Sequence, residues 1–200
     1  MPSKGDATKQ KILESACSLF YLKGYQGTTI DDILKASRVK KGSFYFHYPS
    51  KEVLGYAVFE EYKTKSKALF QNALRNDGDP IQNLFSLLLN HERELRTAGY
   101  HGGCPFGNLA LELADHHPGF RMKLQAVFDG WAAEILAVLN RAKRAGKLDR
   151  SIDPKPLAYL IVAVMEGGTL LCKTKKSGGI YRDIIHTFKS LIGKERKRSS

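Results

Sequence analysis

The sequence predicts an all-α protein, and three observations carry that prediction. Nearly every periodic segment places apolar residues three and four positions apart, the repeat of one helix face. No stretch alternates apolar and polar residues as a half-buried strand would. Prolines and glycines fall at the ends of the periodic segments, as in Asp79-Pro80, Cys104-Pro105 and Asp153-Pro154, where they start and stop helices. The chain has 200 residues, 42% of them apolar, enough for one large or two small domains with a real core.

Taken in order, the first helix runs from about Thr8 to Lys23. Its inner face is Ile12, Leu13, Ala16, Cys17, Leu19 and Phe20, and Gly24 stops it. In TTIDDILKAS, Thr29 and Asp32 form a capping box with Asp in place of Glu, and Ile30, Ile33 and Leu34 face inward. After Ser37-Arg38 a third short helix covers Lys40 to His47 and ends at Pro49, because the residue before proline avoids helical angles. Ser50 caps a long fourth helix, Lys51 to about Asn76.

NDGDP is the clearest break in the chain. Asp79 and Pro80 open a helix to Thr97, and AGYHGG is a loop. CPFGNLALELADHH is a helix with Cys104 at its cap and Pro105 at its first position; Pro118 opens another, to about Ala145. Asp153-Pro154 starts a helix to Lys175, and Ile180 to Ile192 forms the last, before a charged, fraying tail. The expected division is residues 1–54 as a first domain and 55–200 as a second, linked through the fourth helix at about 51–76.

A net charge of +12 and a pI near 9.6 favour a polyanionic partner, nucleic acid or an anionic membrane surface. Of the two, nucleic acid is favoured and no membrane partner is expected; the longest apolar run, LAYLIVAVM, is too short to span a bilayer. MPSKGDATKQ lacks the apolar region of a secretory signal, and the three cysteines form no disulfide or zinc pattern; both suit a reducing cytoplasm.

Two short helices joined by a tight turn after a longer one make a helix-turn-helix. In KKGSFYFHYPSK, a wheel at 100° per residue puts Phe44 and Tyr48 on the inner side with Val39. Lys41, Gly42, Tyr45 and Phe46 sweep the outer side, and small Gly42 and Ser43 let the backbone approach a groove wall. Residues 1–51 carry nine basic side chains against four acidic ones, a local charge of +5 that supplies affinity for phosphates without sequence choice. Lys51, at a helix start, and Thr29, with its hydroxyl, are phosphate candidates; His47 either bonds a phosphate or braces the turn.

Residues 8–54 resemble the N-terminal DNA-binding domain of the TetR family of transcriptional regulators. The resemblance rests on KGY, the TT before the second helix, the aliphatic core positions, and the string Tyr45, His47, Lys51. It implies a homodimer whose two heads enter successive major grooves of a pseudo-palindromic operator in double-stranded DNA, usually to repress. It implies that Lys41, Gly42, Ser43, Tyr45 and Phe46 approach bases, and that Thr29, Lys40, His47 and Lys51 hold phosphates. One departure is Ser37-Arg38, where the family commonly has Ala-Gly: a position favouring positive φ holds arginine. An architectural DNA binder without sequence preference is the alternative.

The region after Pro80 would then hold a small-molecule effector and a dimer surface. Pairing is expected through the last two helices. Leu157, Leu160, Ile161, Val164 and Leu171 line one, with Gly167 and Gly168 for close approach; Ile180, Ile184, Phe188 and Leu191 line the other. Cys104 sits at a helix N-terminus, where free N–H groups and the dipole stabilise a thiolate. Its stretch is similar to that of a TetR subgroup including repressors that respond to electrophiles and unsaturated carbonyl compounds. It is a covalent sensor, or an inert cap, or it lies near an ordinary non-covalent pocket.

No cofactor is expected. His116 and His117 point about 100° apart on a helix and are no chelating pair, and Cys104 with either histidine lacks an orienting group, so neither metal nor enzyme is predicted. Trp131 lines a pocket or fills core, the latter slightly favoured; Cys17 reads as core, and Cys172 as packing with its thiol left open beside Lys173 and Lys175.

Overall fold

The computed structural model describes residues 4–74 and 77–192, and within them every regular element is a helix. The order is α1 (Lys4–Lys23), α2 (Ile30–Ser37), α3 (Lys41–His47), α4 (Lys51–Ala73), α5 (Pro80–Thr97), α6 (Pro105–Leu113), α7 (Pro118–Arg144), α8 (Pro154–Lys175) and α9 (Gly179–Ile192). Two limits differ from expectation. Helix α1 begins at Lys4 rather than Thr8, helped by Asp6 in its first turn, where the helix dipole favours an anion. Helix α6 stops at Leu113, and Ala114 to His116 form a turn, because Pro118 disfavours helical angles at His117. The expected end of the fourth helix at Asn76 and the tail at 193–200 lie outside the described residues.

Packing divides the chain into two compact units, and not by a single cut at residue 54. One is Met1–Ser66 with Cys104–Leu124, and the other is Lys67–Gly103 with Gln125–Ser200. The reason for the difference lies in aromatic contacts. On α6, Phe106 meets the rings of Phe59 and Tyr62 edge-on at 5.3 and 6.4 Å. At the start of α7, Phe120 lies 5.6 Å from Tyr25 and stacks on Tyr56 at 4.5 Å. Such pairs contribute beyond the area they bury, so α6 and the first turns of α7 belong with the N-terminal helices.

In the first unit, α1 supplies Ile12, Ala16 and Phe20 to the core, α2 supplies Ile33, and α3 supplies Phe44. Cys17, expected in the core, is only half-buried. Its carbonyl accepts the Tyr62 hydroxyl at 2.7 Å, and partial burial pushes its thiol up to about 11. The drift of a 3.6-residue repeat leaves Leu13, Cys17 and Leu19 on the flank of the buried stripe.

In the second unit, α5, α7, α8 and α9 enclose Leu87, Leu88, Ile135, Leu139, Ile161 and Tyr181. Half-buried Trp131 packs against the margin of this core, stacked on Phe70 at 5.4 Å and taking Phe128 edge-on. A polar seam crosses this core. Buried Glu92 accepts from Tyr100 Oη and Arg182 Nη1, both at 3.3 Å. His91 Nδ1 lies 2.9 Å from Tyr181 Oη and Nε2 lies 3.4 Å from Thr169 Oγ1. Enclosure of the His91 ring holds it down to about 4, so it is neutral at pH 7.

Helix α8 is apolar on two faces. Ala158, Ile161, Val162, Met165 and Cys172 are buried, while Leu160 and Leu171 are 53% and 40% exposed. By length and composition alone α8 could cross a membrane, yet its buried face is part of the core with α5 and α9, as for a core helix. Two residues expected on a pairing face, Ile161 and Phe188, are buried within their own unit. The small size of Gly168 also serves this chain: a Cβ there would stand 2.5 Å from the Tyr181 ring, whereas one on Gly167 would meet nothing within 4 Å. Periodicity alone could not rank two apolar stripes on one helix.

Candidate nucleic-acid interface

The short helix α3 is anchored by its inner aromatics. Phe44 is completely buried and Tyr48 nearly so, the two rings 6.4 Å apart. The Tyr48 N–H closes the helix by donating to the Phe44 carbonyl at 2.8 Å. With those side chains fixed, the geometry of a seven-residue helix dictates the outer face: Tyr45 is 40% exposed and Phe46 83%, with Lys40, Lys41 and Gly42 exposed beside them. The Tyr45 ring is steadied edge-on against Phe44 at 5.2 Å, and Phe46 meets His47 at 5.0 Å. A Cβ on Gly42 would touch nothing within 4 Å, so this stretch of backbone is open to an approaching surface. Ser43 and His47 are half-buried at its edges.

The turn before α3 has the geometry its sequence implied. Arg38 caps α2 in the left-handed region, at φ 55° and ψ 34°, and Ser37 donates its hydroxyl to the Ile33 carbonyl at 2.7 Å. Lys40 is the N-cap of α3 and uses no side-chain capping bond, which leaves its ammonium exposed. A groove between α1 and this turn is lined by Lys11, Arg38 and Lys40, with Glu14 as the opposing charge. Lys11 was legible only as part of the local positive total; its placement beside the turn follows from the crossing of α1 and α2.

Thr29 and Lys51 are more engaged than the sequence suggested. The Thr29 hydroxyl accepts the Asp32 N–H at 3.1 Å, and the Asp32 carboxylate accepts the Thr29 N–H and hydroxyl at 2.9 and 2.8 Å. These bonds, the Thr29 N–H first, hold the Asp32 carboxyl down to about 2. A phosphate at Thr29 would therefore face a carboxylate as well as a helix terminus. Lys51 is half-buried, its Nζ 4.4 Å above the Tyr25 ring in a cation–π contact. Partial desolvation lowers its pKa, offset by the nearby Glu112 carboxylate. At the same helix start, Ser50 Oγ accepts the Val53 N–H at 3.1 Å, as expected of a cap.

Cys104 stands apart from these residues in sequence, on α6 of the same compact unit. It is buried, it is the N-cap of α6, and its Sγ accepts the Gly107 N–H at 3.4 Å. Residue Glu112, at the other end of α6, escaped sequence reading altogether. Its carboxylate accepts the Tyr25 N–H at 3.2 Å and the Gln26 N–H at 2.6 Å, and its carbonyl accepts the Gln26 side-chain amide at 3.3 Å. No local signal could mark a partner so far away in sequence.

Comparison with known proteins agrees with this geometry. Residues 12–58 match the family profile described as bacterial regulatory proteins, tetR family, and residues 80–188 match that of a tetracyclin repressor-like C-terminal domain. A relative from Lactococcus lactis subsp. lactis, an uncharacterized HTH-type transcriptional regulator in the lacX 3′ region, is 31% identical over 94% of this chain and 96% of its own length. The HTH-type transcriptional repressor DhaR of a Mycobacterium species is 27% identical, covering 84% of each chain. A solved TetR transcriptional regulator from Chloroflexus aurantiacus superposes with a TM-score of 0.88 at 29% identity, over 96% of this chain and 97% of that one. None of these is described as an architectural DNA binder. The chain belongs to the TetR family of bacterial transcriptional regulators, with its helix-turn-helix at the N-terminal end.

Proposed function

We propose that the protein acts in the cytoplasm as a homodimeric repressor, binding a pseudo-palindromic operator and released from it by a small-molecule effector. The observation that carries the DNA reading is the sorting of four neighbouring aromatics, with Phe44 and Tyr48 buried and Tyr45 and Phe46 outward beside Lys41 and Gly42. Such a face fits a major groove, where side chains read base edges and lysines hold phosphates. Lys41, Gly42, Ser43, Tyr45 and Phe46 approach bases in this reading. Lys40 and His47 hold phosphates, joined by Thr29 and Lys51 through the helix starts they occupy more than through their committed side chains. Two heads set about one helical turn apart, roughly 34 Å, supply the affinity that one lacks. The apolar, outward Leu160 and Leu171 of α8 and Leu191 of α9 support pairing through the last two helices.

Selection from a random-sequence DNA pool, at one stated salt concentration, tests this. The wild-type protein is expected to recover a two-fold-related site. Tyr45→Ala should lower affinity for that site by about tenfold or more and leave binding to random DNA nearly unchanged, and Lys40→Ala should weaken both and reduce the salt slope by about 1. Recovery of no preferred site, or a Tyr45→Ala protein that binds it like wild type, overturns the proposal.

We further propose Cys104 as the point of effector attack. Its support is its place: Sγ stands at the N-terminus of α6 and accepts the Gly107 N–H, a bond that a thiolate would receive more strongly than a thiol. A thiolate adds to the β-carbon of an unsaturated carbonyl, and the α-carbon takes up a proton. N-ethylmaleimide is expected to release wild-type protein from the selected site and to leave Cys104→Ser bound; equal release of both ends this part of the proposal.

A further inference from the structure

The loop that joins α1 to α2 is held by a side chain from far along the sequence. Glu112 ends its short helix, α6, one residue before the last, and both of its carboxylate oxygens are used: Oε1 takes the Tyr25 N–H and Oε2 the Gln26 N–H. These two amides precede α2, so without the carboxylate they would have no role in either helix. A carboxylate receiving two backbone N–H groups makes charge-assisted bonds, the stronger kind. The loop is shaped for that contact. Gly24 has φ +84°, which disfavours a side chain, and a Cβ there would stand 2.5 Å from Glu112 Oε1 and push the carboxylate out of place. The ring of the same Tyr25 is buried, 5.6 Å from Phe120 of α7, with the Lys51 ammonium at the start of α4 resting on it.

Helix α2 leaves this loop, and α3 is carried on α2 through the tight turn at Arg38. The angle at which α3 is presented therefore depends on where the loop is fixed. We propose that Glu112 is a positioning residue for DNA recognition: by latching the Tyr25–Gln26 backbone to α6, it sets the helix-turn-helix in the arrangement that reads the operator. This rests on the DNA-binding reading above and adds to it a residue that touches no DNA. Because Cys104 caps the nine-residue helix that carries Glu112, a shift of α6 would be felt at the loop through this carboxylate.

Electrostatics and positioning predict opposite signs for loss of this charge. Removing an acidic group from a basic DNA-binding protein strengthens binding to phosphates in general. Loss of a latch weakens the specific complex alone. Glu112→Gln keeps the shape but turns one acceptor into a donor facing an N–H. It is expected to lower affinity for the selected site by about tenfold, with binding to random DNA equal or tighter. Amide hydrogen exchange at Tyr25 and Gln26 should speed up while the thermal midpoint of the whole protein moves little. Glu112→Ala should behave the same way. A merely structural role would instead lower specific and random binding together, through a smaller folded fraction. Unchanged or tighter operator binding by both variants, or unchanged exchange at the two amides, overturns the proposal. Failure of the wild-type protein to select any site would count against the DNA reading, not against the latch, which the exchange measurement tests without DNA.

Discussion

At the scale of single residues, Arg38 carries a conflict between local preference and position within the helix-turn-helix. A left-handed conformation crowds a Cβ against the following carbonyl, at a cost of about 1–2 kcal/mol, and glycine is free of that cost. Yet Arg38 sits there at φ 55°, beside Lys11 and Lys40 in the groove along α1. Arg38→Gly is expected to raise stability in urea by about 1 kcal/mol, the relief of strain exceeding the added freedom of the unfolded chain. If the guanidinium meets a phosphate, the same variant loses about one unit of salt slope in DNA binding. The two readouts separate strain from contact: a stability gain with an unchanged slope leaves Arg38 as a tolerated oddity. Tyr48 shows a related tension, because its buried hydroxyl finds no partner among the described residues while its ring closes the core beneath α3. Anchoring the recognition helix by an aromatic ring evidently outweighs one unsatisfied polar group.

At the scale of elements, legibility followed the number of apolar faces. Helix α3 has one buried side, so a wheel drawn from its sequence sorted Phe44 and Tyr48 from Tyr45 and Phe46 correctly. The starts of α5, α6 and α8 were equally plain, since Asp79, Cys104 and Asp153 each cap a helix that opens with proline. Helix α8 was harder. Both its faces are apolar, and the sequence alone could not say that Ile161 turns inward while Leu160, its neighbour, turns out. The chemistry of the head was legible in part: Lys41 and Gly42 are open, but the Thr29 hydroxyl is spent on its own capping box and the Lys51 ammonium on Tyr25. Side chains with good local partners are the ones a residue-by-residue reading overrates. The Glu112 latch was illegible for the converse reason, because a carboxylate that bonds distant backbone leaves no pattern in its own neighbourhood.

At the scale of the molecule, charge and symmetry must act together. A net charge of +12 gives affinity for any duplex, and that term falls steeply with salt. In the reading proposed above, sequence choice comes from the small outer face of α3, and a second copy supplies the contacts that one lacks. The pairing proposed above would use the outward residues of α8: Leu160, Gly167 and Leu171 are exposed and Leu157 and Val164 half-buried beside them, at spacings that alternate three and four residues as in a helix–helix seam. Leu160 and Leu171 are exposed in the single chain, and nothing lies within 4 Å of where a Gly167 Cβ would be. Replacing both leucines, Leu160→Glu with Leu171→Glu, should leave helical content and the urea midpoint nearly unchanged, since neither side chain is in the core. Sedimentation should show a monomer in place of a dimer, because charges buried across an interface without partners cost several kcal/mol each. Affinity for the selected operator should then drop by about 100-fold or more, while binding to random DNA falls far less. A double variant that sediments as a dimer would move the pairing surface away from α8. A monomer that still binds the full site with wild-type affinity would show instead that one head suffices, and the two-fold symmetry expected of the operator would lose its physical basis.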